Sequence, residues 1–129
     1  MTEAEATLTA TAETALKTSL DVFLRAYAAQ TALVAEQRGW SPVIALHATD
    51  AGARVRLDLD DGVVIRADRD DGAREPTLVV SADLKVLRDV LELRCDPNEP
   101  YLFGELTVAG PEADFLRLDY IATRLGEAC

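Results

Sequence analysis

The chain has 129 residues, 49% apolar and 28% charged, a size that suits one globular domain burying roughly two-thirds of its unfolded surface. Its 13 basic and 23 acidic residues leave a net charge of -10; without clustered Lys and Arg this argues against nucleic acid and against anionic membranes as partners. The N-terminal MTEAEATLTATAE is acidic with no hydrophobic signal core, and no run of 18 apolar residues exists, so a cytoplasmic protein without stable membrane insertion is expected.

In chain order, a long N-terminal helix is expected over residues 1–38, frayed at its start and regular from Thr7 to Arg38. Leu16, Leu20, Phe23, Leu24, Tyr27 and Val34 recur on one stripe with Thr31 inside it. That stripe packs on the body or pairs with a second copy, giving a homodimer. Gly39 supplies a stop and Trp40-Ser41-Pro42 a turn. Val43–Ala48 reads as a strand. Arg54–Asp60 alternates polar and apolar, which predicts a strand buried on one face. Asp61-Gly62 signals a hairpin to a partner strand over Val63–Ala67. Pro76–Val80 is the fourth strand. Ser81 then caps a helix that buries Leu84, Leu87, Val90 and Leu91. The stretch Cys95–Pro100 reads as a turn with two prolines. Leu102–Gly110 is the fifth strand, and Pro111 precedes a last helix centred on Phe115–Leu125. The fold class is therefore α+β, a mostly antiparallel sheet of about five strands covered by helices, in the order helix, four strands, helix, strand, helix.

Three stretches within this order resemble the sterol carrier protein type 2 domain. They are Arg56–Gly62 with its return strand, Thr77–Leu84 running a strand into a helix, and Asp96-Pro97 leading to Phe103–Gly110. The resemblance spans about Ala12 to Leu125 and rests on packing motifs. It implies an apolar tunnel between sheet and helices that holds lipids or other hydrophobic molecules; family members also serve as accessory factors in ubiquinone biosynthesis. No phosphate-cradling glycine loop or zinc spacing is present in the sequence, so no cofactor is expected. Two positions depart from the family: Glu105 replaces a basic residue, and Pro111-Glu112 displaces an acid.

The last helix is apolar on two sides. Phe115, Leu118, Ile121, Ala122 and Leu125 form one face; Leu116 and Tyr120 form another, with Asp119 and Thr123 between them. Leu116 and Tyr120 line a cavity or dimer seam whose polar end Asp119 and Thr123 hold, or else the N-terminal helix covers them and Asp119 pairs with an arginine at the rim. Alternation and the family tunnel together nominate Leu57, Leu59, Ile65, Leu106, Val108, Leu116 and Tyr120 as ligand contacts. His47, the only histidine, lies on the less buried side of its strand without an evident orienting partner. The aspartates at 58, 60, 61, 68, 70 and 71 fail the calcium-loop template, so no metal site is assigned. Cys95 has no nearby base, and Cys129 has no residues after it in this sequence for prenylation. Two lysines against abundant arginine suggest a GC-rich bacterial genome.

Three functions follow. The first is a non-enzymatic carrier or accessory factor that binds an apolar small molecule for a biosynthetic pathway. The second is a small cyclising or isomerising enzyme with Asp119, His47 and Tyr120 as weak acid-base candidates. The third is a dimeric interaction module.

Overall fold

The computed structural model describes residues 2–127; Cys129 lies outside them. The N-terminal helix is broken once, into α1 (Glu3–Ala29) and α2 (Thr31–Glu36). The break is at Gln30, whose ψ of 75° leaves the helical range. Ala12, Leu16, Leu20, Phe23 and Tyr27 carry the buried stripe of α1 as its spacing requires. After the break the phase changes, so Leu33 rather than Val34 is buried. The outward face is rich in threonine, and the hydroxyls of Thr7, Thr11, Thr14 and Thr18 each donate to the carbonyl four residues back.

Five strands follow: β1 (Val43–Ala48), β2 (Ala53–Asp60), β3 (Val63–Arg69), β4 (Leu78–Ala82) and β5 (Leu106–Ala109). They lie in the order β3-β2-β1-β4-β5. Three neighbouring pairs are antiparallel and β1 with β4 is parallel, so the sheet is mixed and mostly antiparallel. Asp61 and Gly62 turn β2 into β3 with φ of 53° and 80°, the left-handed pair that a two-residue hairpin demands. A Cβ on Gly62 would come within 2.8 Å of Gln37, and its carbonyl accepts the buried Tyr27 hydroxyl at 2.6 Å. The hairpin tip is thus clamped under the end of α1 and α2.

Between β4 and β5 come α3 (Leu84–Leu91) and α4 (Asn98–Leu102), and α5 (Glu112–Glu127) ends the described chain. Two expectations are corrected here. Ser81 is not the helix cap: its ladder pairing with His47 holds it extended within β4. The first turn of α3 is instead satisfied by Asp50, whose carboxylate accepts the Leu84 N–H at 2.9 Å. The turn around Pro97 and Pro100 is partly helical, because both prolines fall where a first helical turn lacks amide partners anyway. β5 accordingly starts at Leu106 rather than Leu102.

The helices cover the face formed by Ile44, Leu46, Leu57, Val80 and Leu106, which belong to the main apolar core. β2 was expected to be buried on this face alone, yet both its faces are buried. The cause is topological. β3 and β4 are separated by β2 and β1, so the segment joining them crosses the far face of the sheet. Its Asp71 and Arg74 reach Arg56 and Asp58 there. Arg56 and Asp58 pair through two hydrogen bonds of 2.8 and 2.7 Å, and this pairing holds the guanidinium above its ordinary pKa.

Candidate functional site: an apolar cavity between sheet and helices

The helix face of the sheet does not close completely. A cavity of about 90 Å³ remains above its centre. Its floor comes from Ile44 and Leu46 of β1, Leu57 of β2, Val80 of β4, and Leu106 and Val108 of β5. These side chains share one face because each strand alternates and the ladders hold them in register. Leu20 and Phe23 of α1 form one wall, and Leu87, Val90 and Leu91 of α3 another. Phe115, Leu118 and Ala122 come from the α5 face that the helical spacing picked out, and Asp119 joins them from beside that face.

The remaining wall is Pro97 with Asn98 and Tyr101 of α4. Asn98 and Tyr101 are exposed on their outer sides, so one short helix separates this end of the cavity from solvent. The Tyr101 ring lies 5.4 Å from that of Phe115, and just beyond it Leu102 and Phe103 are 79% and 75% exposed. A smaller void of about 20 Å³ adjoins the cavity and shares Phe23, Ile44, Leu57 and Leu118 with it.

The nominated contacts divide accordingly. Leu57, Leu106 and Val108 line the cavity, and Leu59 lines the smaller void. Ile65 does not reach either; it is 61% exposed. Across from Asp58 and Leu59 the register shifts, with Arg66 and Val64 as partners, so Ile65 is the extra residue of a bulge that reverses the alternation. Leu116 and Tyr120 also lie outside. Leu116 is 54% exposed, and the Tyr120 hydroxyl donates to the Glu36 carboxylate at 2.7 Å while accepting from Arg124 at 2.9 Å. The bond to Glu36 raises the Tyr120 pKa. α1 therefore does not cover this patch; only the end of α2 reaches it. Nearby, the indole N–H of Trp40 donates to Asp114 at 2.8 Å, and Arg117 lies over the Trp40 ring.

Asp119, His47 and Tyr120 are not brought together. Asp119 is on the cavity wall. His47 is on the opposite face of the sheet, in register with Arg54 and Ser81. Tyr120 is on the outer side of α5. Burial first, then the charges of Asp89, Glu99, Asp96 and Glu105, push the Cys95 thiol up and away from thiolate chemistry. The aspartate runs serve turns and pairs: Asp70 accepts from the Gly72 N–H, Asp71 from Ala73, and Asp61 from Gly39. Among the described residues no group of three His, Cys, Asp or Glu side chains is placed to hold a metal.

What the sequence reading missed is the helical half of the lining. Leu20, Phe23 and Leu87 stood out as buried stripe residues, but a stripe marks burial without showing which of its members face a void. Asn98 and Tyr101 were hidden by the turn signals around them.

No family model matches the chain, and no curated protein matches it. Solved structures do. A solution structure of a conserved hypothetical protein from Thermus thermophilus, TT1886, suggested to be a sterol carrier protein, is 25% identical with a TM-score of 0.61, covering 85% of this chain and 82% of that one. A crystal structure of sterol carrier protein 2 is 24% identical with a TM-score of 0.60, covering 85% and 95%. The ubiquinone synthesis protein UbiJ-SCP2 is 19% identical with a TM-score of 0.55, covering 93% and 96%. Element order, sheet and these likenesses together give one conclusion: the chain has the sterol carrier protein type 2 fold.

Proposed function

We propose that this protein binds an apolar small molecule or lipid between its sheet and helices, as a carrier or accessory factor in a biosynthetic pathway. The observation that carries the reading is the cavity itself, an internal void walled almost wholly by aliphatic and aromatic side chains. Protein interiors normally pack to crystal-like density with few voids larger than a water molecule, and an apolar void is a place where apolar ligands are favoured. The likeness to sterol carrier protein 2 and to a ubiquinone synthesis protein supports the same reading.

The void is small. Pockets that enclose whole small molecules span about 300–1,000 Å³, whereas this one holds about 90 Å³. A chain segment fits as it stands, and a larger ligand enters by displacing a wall. α4 is the wall suited to move: it is five residues long, and its outer side is in solvent. Leu102 and Phe103, exposed beside it, supply apolar surface along the entry.

The test is displacement of Nile red, a neutral apolar dye, by unlabelled lipids from the parent and from Ala122→Leu. Ala122 lies on the cavity wall, so the larger side chain fills the void. Loss of dye binding in a variant at least as stable as the parent is the expected result, since filling a cavity commonly stabilises. Unchanged dye binding in a folded Ala122→Leu protein would place the ligand elsewhere.

A further inference from the structure

The cavity carries a charge at one place. Among its lining side chains only Asp119 bears a carboxylate, and the other polar groups are the Asn98 carboxamide and the Tyr101 phenol. Asp119 makes no hydrogen bond or ion pair with any described residue. The arginines of the same helix are directed elsewhere: Arg117 donates to Gln37 at 3.2 Å and Arg124 to Tyr120 at 2.9 Å. Among the described residues no compensating cation stands beside the cavity's carboxylate.

The surroundings have the same sign. Between Arg94 and Arg117 the sequence holds Asp96, Glu99, Glu105, Glu112 and Asp114 and not one Lys or Arg. This segment supplies α4, β5 and the start of α5, which form the thin wall and one side of the cavity. An anionic group approaching along this side passes the carboxylates of that segment and none of its own cations, and it loses water as it enters.

We infer that the cavity selects its ligand by the polar end: Asp119 accepts a hydrogen bond from an alcohol, phenol or amine, and the site turns away carboxylates and phosphates. This deepens the carrier reading and rests on it. A hydroxyl donating to a carboxylate forms a charge-assisted bond, stronger than a neutral one. A ligand carboxylate at the same position adds a like charge beside Asp119 and has no hydrogen to donate to it. Asn98 adds a donor and an acceptor on the same wall, which suits a hydroxyl and does not offset two negative charges.

The experiment uses three ligands with one tail, dodecanol, dodecylamine and dodecanoate, each competing with Nile red on the intact chain at neutral pH. The parent is expected to bind dodecanol and dodecylamine at least about tenfold more tightly than dodecanoate, the scale of one charged hydrogen bond. Asp119→Asn removes the charge with little change in shape, and it should bring dodecanol and dodecanoate to within about threefold of each other. Glu75→Gln, in the exposed β3–β4 segment on the far face, removes one surface charge and should leave the ratio as in the parent. Equal affinity of the parent for dodecanol and dodecanoate would overturn this inference and leave the carrier reading standing. A ratio unmoved by Asp119→Asn, or moved as much by Glu75→Gln, would overturn it too. If none of the three ligands displaces the dye, and the dye itself does not bind, the carrier reading falls and takes this inference with it.

Discussion

Leu57 and Asp58 are neighbours in β2, yet they end in opposite kinds of interior. Leu57 points to the helices, where contacts are apolar, non-directional and loose enough to leave a void. Asp58 points to the far face, where the β3–β4 segment is tied down bond by bond. Asp71 links Arg56 and Arg66 at 3.3 and 3.1 Å. Thr77 and Val43 exchange two bonds, the Thr77 N–H donating to the Val43 carbonyl and the Val43 N–H to the Thr77 hydroxyl. Residues 70–75 contain no large apolar side chain, so hydrophobic burial has little to work with there. The crossing is held by directional bonds because its composition permits little else. One face is therefore packed by non-directional contacts and the other is specified bond by bond.

The sharpest break in this comparison is Asp58→Ala. It leaves the Arg56 guanidinium, only 4% exposed, with the longer 3.3 Å bond to Asp71 in place of its two short bonds to Asp58, and an under-compensated buried charge is costly. Its loss of stability in urea should at least match that of Leu16→Ala, a fully buried leucine away from the cavity, which is expected at about 2–5 kcal/mol. Arg56→Met with Asp58→Leu removes both charges and should be milder than Asp58→Ala alone. If the double variant is the worse of the two, the pair does more than satisfy itself.

Acid should loosen the far face before the helix face. The Asp71 carboxyl is held below its ordinary value by the Ala73 N–H and then by Arg66. A carboxyl depressed in the folded state lends stability that is present above its unfolded value, near 3.8, and lost as pH falls through the lower folded value. Thermal midpoints of the parent and Asp71→Asn should therefore differ above about pH 4 and draw together as the pH falls below 3.8 and through the lowered folded value. A constant offset at all pH values would remove Asp71 from the account.

Much of this architecture was legible. The Asp61-Gly62 hairpin could be read because few residues accept positive φ, and the inner face of α5 because its apolar positions follow the helical period. The pattern failed where one residue resets a phase. Gln30 breaks the first helix with neither Gly nor Pro to mark it, and the bulge turns Ile65 outward although its alternation looked regular. The burial of Arg56 and Asp58 depends on strand order, which local pattern does not encode. At the site, floor residues on regular strands were recoverable, whereas α4 was masked by prolines that read as a turn.

A smaller effect is expected at His47, which sits across the sheet from the cavity. His47→Ala should leave Nile red binding within about twofold of the parent, since distant surface positions rarely couple. A strong loss would mean that the far face communicates with the cavity.

The smallest effects should come from the outer side of α5. Leu116 is more than half exposed and lies away from the cavity, so Leu116→Ala should change unfolding free energy by no more than about 0.5 kcal/mol. A core leucine would cost several times that. The reverse substitution is the more discriminating. Leu116→Trp adds bulk where there is solvent, so it should neither overpack the core nor obstruct the void, and both stability and Nile red binding should stay at parental levels. Tyr120→Phe should likewise spare binding, because the hydroxyl it removes bonds to Glu36 and Arg124 and faces no ligand space. Strong loss of dye binding in Leu116→Trp, with the protein still folded, would show that the occupied cavity extends past α5. The apolar interior would then reach through the helix layer to the surface.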